Sequence, residues 1–522
     1  MASTCRPSRS DPVVGTWPDH HRVAGPSPRT LLTPVGDCPA LWPRCHAGNC
    51  PPWERPCVAK GARSGPRFRV PIEIAGAAAQ PFRDARPLPQ GPAKSMAYGL
   101  FHESGLQCLM RRNDGMDLIF RNVRIDDAKP LMDVAVHNGK ITEIAPTITA
   151  TATQEIQGNG NVLIPGFVEG HLHLEKANVM QRKANRSGTL KEAIAVTAAL
   201  KPTLTREDIR ERSTQVLRAL VQAGTTHVRA HAEFDPTQGF TGLDVVLELR
   251  ETLRDVIDIQ VVAFPQEGIL KLPGMKAMMV EAMEKGADVV GGIPYNDVSP
   301  LEHIDFVFDL AKRYGRDIDL HQDFADDAEQ MTIEYVARRT LAEGYQGRVC
   351  VGHLTSLAAV EPERQARIVA LLREAGISVM CLPATDLHLG ARGDSHNVRR
   401  TLTPVRALRD GGVNVCLATN NIRNAFTPYG TGDLLNIAQL AIPACHLGGA
   451  DDQATVLAML TTNPARALGL RDHGLAVGKD ADLVLVDTQR VSNVILDLPA
   501  RLAVLKRGRV VATAEHRRSV VF

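Results

Sequence analysis

The sequence predicts an α/β protein: a (β/α)8 TIM barrel with a small β-sandwich domain built from the two chain segments that flank the barrel. Three observations support this fold class. Eight short, β-branched apolar runs recur between residues 161 and 421, amphipathic segments separate them, and polar residues cluster where nearly every run ends. Strands that alternate with helices indicate βαβ units and a parallel sheet, and eight such units close a barrel.

The eight predicted strands are, in chain order, NVLIPGFVEGHLHLE, THVRAHAEF, DIQVVAFPQEG, DVVGGIP, DIDLHQDF, RVCVGHLT, ISVMCLPATD and NVCLATNN. Segments between them, such as TREDIRERSTQVLRALVQAG, have the periodicity of amphipathic helices. A doubly wound open sheet is the alternative. Such a sheet needs polar residues only at its switch point, whereas here they end nearly all eight strands, which favours the barrel.

The flanking segments predict the sandwich. DLIFRNVRI and MDVAVHNGKITEIAP before the barrel are typical of a hairpin with a turn at Asn138-Gly139, and HGLAVGKDADLVLVD with ARLAVLKRGRVVAT follows the same pattern after it. We therefore expect residues 116–160 and 471–522 to form the sandwich and residues 161–470 to form the barrel.

Residues 1–115 differ from the rest of the chain. They contain 17 of the 33 prolines and 15 Lys and Arg against 8 Asp and Glu, without a sustained helical or strand period. Such a segment cannot bury enough apolar surface to offset its chain entropy, so we expect a disordered extension. The spacing of its cysteines, such as Cys38, Cys45 and Cys50, does not fit the C-x₂₋₄-C pairs of zinc modules.

The amino-acid composition limits the classes to which this protein can belong. A content of 44% hydrophobic and 23% charged residues is typical of a soluble globular chain, and no run of 18 apolar residues occurs. Cys350, Cys381, Cys416 and Cys445 suit free thiols in a reducing compartment, which predicts a cytoplasmic protein.

The net charge of +2 neither favours nor excludes a charged partner. We expect a small-molecule substrate, no nucleic acid and no membrane, and leave a homo-oligomer open.

Histidines at the strand ends predict a metal site. His171 and His173 in GHLHLEK are two residues apart, so both should face the barrel lumen. A structural pair of buried histidines is the alternative, but His321 and His353 end the fifth and sixth strands and favour the metal. Neutral imidazoles suit one divalent ion, Zn²⁺ or Fe²⁺, which could activate a water for hydrolysis.

Two further strand ends carry candidate substrate-binding residues. His231 ends the second strand, and Gln266 ends the third in FPQEG. Gln266 offers a donor and an acceptor, which would match an amide or pyrimidine edge, although a helix cap is the alternative. The sequence has no GxGxxG, P-loop or GxSxG motif. It also lacks the H-x-E with PCxxC of the small zinc deaminases that edit nucleic acids.

Together these motifs resemble the amidohydrolase superfamily, with an HxH at strand one, single histidines at strands five and six, and a split sandwich ending in GLAVGKDADLVLVD. The similarity is greater to bacterial cytosine deaminases. IPGFVEGHLHLEK, DIQVVAFPQEGIL, GADVVGGIP and RVCVGHLTS match that family's pattern over residues 116–515. The resemblance implies a barrel hydrolase of non-peptide C–N bonds.

That resemblance also implies site roles. His171, His173 and His321 would be metal ligands, Gln266 would contact the substrate ring, and His353 would lie beside the activated water. The polar loop PATDLHLGARGDSHNVRR after strand seven should border the substrate, with Asp386 as a candidate contact. A salt-bridged surface loop is the alternative for any single one of its residues.

Two positions depart from the family's pattern. Cytosine deaminases have an aspartate on the eighth strand as metal ligand and base, and a glutamate three residues after the fifth-strand histidine; here these positions are Asn420 and Phe324. An amide oxygen can coordinate a cation weakly but cannot accept a proton at neutral pH. Asn420 therefore stays a candidate metal ligand, while the base must lie elsewhere.

Three residues could replace the missing base. Strand alternation predicts that Asp323 points inward like His321, with a cap for the following helix as the alternative. His353 has a side chain of near-neutral ordinary pKa, which suits proton transfer. Glu175, two residues after His173, is the third candidate.

The sequence therefore predicts a metal-dependent hydrolase of non-peptide C–N bonds, similar to cytosine deaminase. Its substrate would be a small cyclic amide, amidine or exocyclic ring amine attacked by a metal-activated water. The alternative is a catalytically silent barrel that keeps its pocket for binding or assembly, an interpretation motivated by the two missing carboxylates.

Overall fold

The computed structural model describes residues 116–517 and 519–521. The predictions made for residues 1–115 lie outside the described residues. The strands, numbered in chain order, are β1 (Met116–Val123), β2 (Met132–His137), β3 (Lys140–Ala145), β4 (Ala152–Gln157), β5 (Val162–Pro165), β6 (Phe167–Leu172), β7 (Thr225–Glu233), β8 (Asp258–Phe264), β9 (Val289–Gly292), β10 (Asp317–Gln322), β11 (Val349–His353), β12 (Ser378–Cys381), β13 (Asn414–Leu417), β14 (Leu483–Val486), β15 (Arg501–Lys506) and β16 (Arg509–Thr513).

The helices of the described part are α1 (Leu190–Leu200), α2 (Arg206–Gln222), α3 (Thr241–Thr252), α4 (Met275–Glu284), α5 (Pro300–Tyr314), α6 (Ile333–Ala342), α7 (Pro362–Glu374), α8 (Pro383–Leu389), α9 (Val405–Asp410), α10 (Leu434–Ala444), α11 (Asp452–Ala458), α12 (Thr462–Ala467) and α13 (Val494–Asp497). Local sequence sets their ends. Thr205 caps α2 by accepting a hydrogen bond from the Asp208 N–H, and α5 ends before Gly315, whose positive φ of 63° suits glycine.

The barrel is the eight-stranded sheet β6 to β13, in which each strand pairs in parallel with the next along the chain. A parallel bridge between Leu172, which ends β6, and Asn420, just beyond β13, nearly closes it. The predicted (β/α)8 fold is confirmed. Because all strands run the same way, their carboxyl ends meet at one face of the barrel.

The first predicted strand divides into two. β5 pairs antiparallel with β14 outside the barrel, and β6 starts the barrel after Gly166. A Cβ atom at Gly166 would lie 2.4 Å from the side chain of Thr226, so only glycine fits at this junction. Because of this division, the C-terminal strands pair with β5, a strand that precedes the barrel in the chain.

Two four-stranded sheets form the predicted sandwich, in the orders β3-β2-β1-β4 and β16-β15-β14-β5. Side chains of both sheets share one apolar core, which includes Phe120, Val136, Leu483 and Leu505. Asn138 and Gly139 both have positive φ, as the predicted turn requires.

Two smaller predictions concern the cysteines and membrane segments. Cys350, Cys381 and Cys416 are buried free thiols and Cys445 is a half-buried one, as expected. In residues 116–517 and 519–521, no helix combines the length and the apolar character needed to cross a membrane.

Candidate active site

Three histidines converge at the carboxyl-end face of the barrel; we call them the histidine centre. His171 lies on β6, His173 directly follows β6, and His321 lies on β10. The Nε2 atom of His321 is 3.2 Å from that of His171 and 3.1 Å from that of His173. Zn–N bonds of ~2.05 Å in a tetrahedral site place two ligand nitrogens ~3.3 Å apart, so these spacings suit a metal. The three residues that the sequence proposed as ligands are therefore adjacent.

The protonation of these imidazoles also suits a cation. Burial, followed by the neighbouring positive groups, lowers the pKa of all three rings well below the ordinary histidine value, so they are neutral near pH 7. The Nδ1 atom of His173 donates to the backbone carbonyl of His231 at 3.2 Å, which leaves its Nε2 lone pair free to bind a metal.

Asn420 lies beside the histidine centre. Its N–H donates to the His171 carbonyl at 2.8 Å, and its own carbonyl accepts from the His173 N–H at 3.0 Å. The residue is buried and has a φ of 66°, a conformation that asparagine tolerates better than most residues. These backbone bonds place Asn420 next to two proposed ligands, and a role for its side chain as a fourth, weak ligand stays a prediction.

A chain of hydrogen-bonded side-chain amides fixes the orientation of the Asn420 amide group. Asn424 Oδ1 accepts from two backbone N–H groups, those of Phe426 and Thr427, so its Nδ2 must face the other way. That Nδ2 donates to Asn421 Oδ1 at 2.7 Å, and Asn421 Nδ2 donates to Asn420 Oδ1 at 2.9 Å. Asn420 Oδ1 therefore keeps one lone pair for a cation.

His353 ends β11 beside the histidine centre, with its ring centroid 5.2 Å from that of His321. Its Nδ1 is 2.6 Å from Asp386 Oδ1, and Asp386 is fully buried on α8. Asp386 was predicted to contact the substrate, but it lies behind His353 because Pro383 starts a helix where a loop was expected. The carboxylate fixes the proton on Nδ1, so Nε2 of His353 is free to accept one.

The structure corrects the expected orientation of Asp323. β10 ends at Gln322, and Asp323 has a φ of 44°, so strand alternation no longer applies. Its carboxylate accepts from the backbone N–H groups of Thr332 and Ile333, each with an oxygen at 3.0 Å, at the start of α6. Burial raises its pKa to about 6. The helix-capping alternative is the one observed, and its use as a base stays a prediction.

Phe324 and Glu175 occupy very different surroundings. The Phe324 ring packs edge-on against His353, with 5.0 Å between ring centroids. Glu175 is buried with neither oxygen hydrogen-bonded, 3.9 Å from His173 Nδ1, and burial raises its pKa to about 7. Because the His231 carbonyl already occupies that Nδ1, Glu175 makes no hydrogen bond to the histidine centre, and its use as a base stays a prediction.

His231 was predicted to bind substrate, and the structure corrects this. β7 continues to Glu233, so His231 lies two residues below the strand end and is fully buried. Its ring stacks on that of His171 at 3.8 Å, and its Nε2 is 3.1 Å from Asp319 Oδ1. His231 therefore supports a proposed ligand from beneath and lies outside the cleft lining.

A small cleft opens above the histidine centre. Its polar lining consists of His173, Lys176, Gln266, His321, His353, Thr385, Asn420 and Asn421, and its apolar lining of Leu190, Ile194, Tyr295, Phe324, Leu389 and Phe426. Polar groups beside apolar walls are typical of sites for small, flat molecules. Gln266 thus lines the cleft, and its predicted contact with the substrate stays a prediction.

Sequence reasoning missed Lys176, although it lies in the motif GHLHLEK. This buried lysine donates to Gln266 Oε1 at 2.6 Å and to Glu233 Oε2 at 3.2 Å. Burial tends to raise the pKa of Glu233, but Lys176 and Lys201 outweigh it and hold that pKa below its ordinary value. The cleft therefore has a buried ion pair in one wall.

Known proteins match this chain over most of its described residues. The model of the amidohydrolase family matches residues 181–512. N-isopropylammelide isopropyl amidohydrolase of Pseudomonas sp. strain ADP is 30% identical over 76% of this chain and 98% of its own length. Pterin deaminase of Rhizobium rhizogenes is 31% identical over 73% of this chain and 87% of its own length.

A solved structure extends the comparison. The 5-methylcytosine deaminase of Klebsiella pneumoniae, with bound phosphonocytosine, is 33% identical and has a TM-score of 0.74. The match covers 77% of this chain and all of that one. The similarity therefore spans both the barrel and the flanking sheets.

Proposed function

This chain belongs to the amidohydrolase family of hydrolases and deaminases that act on C–N bonds, and we propose that it uses one divalent metal ion, Zn²⁺ or Fe²⁺. Its substrate is a small cyclic amide, amidine or exocyclic ring amine. The observation that carries the proposal is the convergence of three neutral imidazoles, in which the Nε2 atoms of His171 and His173 each lie within 3.2 Å of His321 Nε2.

The proposed ligands are His171, His173 and His321, with the side-chain oxygen of Asn420 as a weaker fourth. A bound divalent ion would supply Lewis acidity, which polarises the bond to be cleaved and makes water a stronger nucleophile at neutral pH. The neutral state of the imidazoles supports this, because a metal binds the unprotonated nitrogen.

Proton transfer falls to His353 and Asp386. His353 accepts a proton from the attacking water at Nε2 and returns it to the nitrogen that leaves, while Asp386 stabilises the imidazolium through Nδ1. The 2.6 Å contact between the two side chains supports these roles. This pair takes the place of the acidic residues expected at Asn420 and Phe324, and Asp323 is the alternative base.

Orientation and exclusion of water fall to the walls of the cleft. Gln266 and Lys176 form hydrogen bonds with the edge of the ring, and Phe324, Tyr295 and Phe426 provide apolar surfaces for its faces. A dry cleft strengthens each polar contact with the substrate.

A catalytically silent barrel is the second candidate. It is favoured by one observation: an amide and a phenyl ring stand at Asn420 and Phe324, where the resembling deaminases have carboxylates. An amide cannot exchange protons at neutral pH, and a phenyl ring cannot at all.

Metal analysis of the purified full chain separates the two candidates. We would measure bound Zn and Fe in the wild type, His173→Ala and Asn420→Asp, and screen ring amides and ring amines for released ammonia or amine. About one metal per wild-type chain, lost in His173→Ala, together with hydrolysis supports the proposal. Metal that binds only to Asn420→Asp would establish the silent barrel instead.

A further inference from the structure

Three buried side chains lie beneath the histidine centre and have no part in the proposed chemistry; we call them the support group. Asp319 Oδ1 accepts from Nε2 of His231 at 3.1 Å, and Asp319 Oδ2 accepts from Nη1 of Arg229 at 2.7 Å. All three side chains are fully buried. A carboxylate can only accept, so the proton of the His231 ring is on Nε2.

The residue types of the support group also occur in metal sites. Possible ligand atoms of His171, His231 and Asp319 lie within 4.8 Å of one another. However, the guanidinium of Arg229 already balances the Asp319 carboxylate, and the Nε2 atom of His231 carries a proton. The support group is therefore suited to hold its neighbours in place and not to bind an ion of its own.

His231 contacts two of the proposed metal ligands. Its ring stacks on that of His171, with 3.8 Å between the ring centroids and 28° between the ring planes. Its backbone carbonyl accepts from Nδ1 of His173 at 3.2 Å, which fixes the tautomer that presents Nε2 to a metal. One residue of β7 thus orients both imidazoles that the β6 segment supplies.

Asp319 extends this support to the third proposed ligand. It lies on β10 two residues before His321, so both side chains point into the barrel from the same strand. β8 and β9 lie between β7 and β10 in the sheet. The hydrogen bond between His231 and Asp319 therefore crosses the barrel interior, and it fixes the strand of one ligand relative to the residue that orients the other two.

Arg229 anchors the lower end of the support group. Its Nε donates to Gln260 Oε1 on β8 at 2.7 Å, and its Nη2 donates to the Ala467 carbonyl on α12 at 3.2 Å. If the Asp319 side chain turned away, Arg229 would keep a buried charge without a carboxylate partner, which is costly. The conformation of Asp319 is thus fixed from both sides.

This inference rests on the proposed function, because it takes His171, His173 and His321 to be metal ligands. We propose that His231 and Asp319 are positioning residues, whose hydrogen bond across the barrel keeps the three imidazole Nε2 atoms at the spacing that one divalent ion requires. Neither residue is itself a ligand. Loss of such a supporting partner lowers metal affinity ~10–100-fold.

Two substitutions separate the two contacts of the His231 side chain. His231→Phe keeps a ring against His171 and removes the hydrogen bond to Asp319, whereas His231→Gln removes the ring and keeps an N–H near the position of Nε2. The affinity of the full chain for Zn²⁺, measured by competition with a chelator, should fall ~10–100-fold in His231→Phe and clearly less in His231→Gln. His231→Phe should also shift the visible absorption bands of the Co²⁺-loaded chain, which report the ligand geometry.

His303→Phe is the matched control. His303 lies on α5 and forms another buried pair with a carboxylate, its Nδ1 being 2.7 Å from Asp297 Oδ2. This variant should keep the Zn²⁺ affinity of the wild type, and thermal unfolding shows whether each variant is folded. Wild-type affinity in His231→Phe, or an equal loss in His303→Phe, would overturn the inference. If His231→Phe does not fold, a loss of ~10-fold or more in His231→Gln would overturn it instead, since the ring and not the hydrogen bond would then position the ligands.

The outcomes separate this inference from the proposed function. Zn²⁺ binding that weakens in His231→Phe, in a chain without C–N hydrolysis, would keep the support group and reject the hydrolase. C–N hydrolysis by a chain whose Zn²⁺ affinity does not change in His231→Phe would keep the hydrolase and reject the support group. A wild-type chain that binds neither Zn²⁺ nor Fe²⁺ would overturn both.

Discussion

The barrel contains two groups of residues with histidines whose side chains are of types that can bind a metal, and the two groups differ in charge. One is the histidine centre. The other, which we call the base cluster, consists of His227, Asp258, Asp482 and Lys506 and joins the lower end of the barrel to the sandwich. In the base cluster, His227 Nε2 is 3.3 Å from Asp258 and 3.5 Å from Asp482, and Lys506 Nζ lies 2.8 Å from Asp258 and 2.7 Å from Asp482.

Residue types alone therefore do not identify a metal site. His171 and His321 of the histidine centre, together with His353, have possible ligand atoms within 4.8 Å of one another, and so do His227, Asp258 and Asp482 of the base cluster. In the base cluster, however, the buried ammonium of Lys506 already balances the carboxylates. Among the described residues, no lysine or arginine hydrogen-bonds to the Nε2 atoms of the histidine centre, which contact one another. Of the two groups, the base cluster therefore already contains its cation, whereas the histidine centre has no lysine or arginine bonded to its Nε2 atoms among the described residues.

The largest expected effect separates the two groups directly. His173→Ala removes a proposed ligand, so bound metal should fall from about one per chain to nearly none and C–N hydrolysis should drop more than ~10²-fold. His227→Ala, the matched change in the base cluster, should leave the metal content unchanged. Elemental analysis and initial rates provide the measurement, and equal metal loss in both variants would erase the distinction.

Lys506→Met tests the base cluster. Removing the ammonium leaves Asp482 buried without its cation, which should lower the free energy of unfolding by ~3–5 kcal/mol. Urea denaturation measures the change, and metal content should not respond. A loss below about 1 kcal/mol would show that Lys506 is not what balances these carboxylates.

Asp386→Asn tests the support of His353 at the upper end of the barrel. An amide in place of the carboxylate no longer stabilises a protonated imidazole, so the rate should fall ~10–100-fold while metal content stays constant. Asp394→Asn is the matched control, because Asp394 pairs with Arg399 at the surface. An unchanged rate in Asp386→Asn would remove Asp386 from the proposed mechanism.

The smallest effect concerns pH. His473 packs against His227 with 5.4 Å between ring centroids, and burial lowers its pKa to about 3. The unfolded chain takes up this proton near pH 6.5, whereas the folded chain does not until about pH 3. Stability from this group is thus complete above pH 6.5 and is lost as pH falls toward 3, by up to ~1.4 kcal/mol per unit. Urea titrations at pH 7, 6 and 5 should show a shallower loss in His473→Phe, and equal slopes would contradict the assignment.

The sequence correctly predicted the features that depend on the spacing and the number of the strands. The barrel followed from eight spaced apolar runs, and the proximity of His171, His173 and His321 followed from their places at strand ends. Asn420 could be placed beside them for the same reason, because all parallel strands end at one face.

Two of the errors arose where a strand ended earlier or later than its apolar run suggested, and the third, for Asp386, arose where a helix replaced an expected loop. β7 continues past His231 and leaves it below the cleft, whereas β10 stops before Asp323 and lets it cap α6. Such ends depend on which backbone groups find partners in the folded chain, which the sequence pattern does not reveal. Lys176 was missed because its location follows from Gln266 and Glu233, which are distant in sequence.

The asparagine chain has a consequence for how this face of the barrel can vary. Rotation of the Asn424 amide by 180° would break its two backbone hydrogen bonds and bring its oxygen against the oxygen of Asn421. Asn421 and then Asn420 would have to rotate as well, so the three amides can only turn together. The loop that supplies the N–H groups of Phe426 and Thr427 thus determines how the Asn420 amide is turned. A change in the length of that loop could alter metal affinity without touching any proposed ligand.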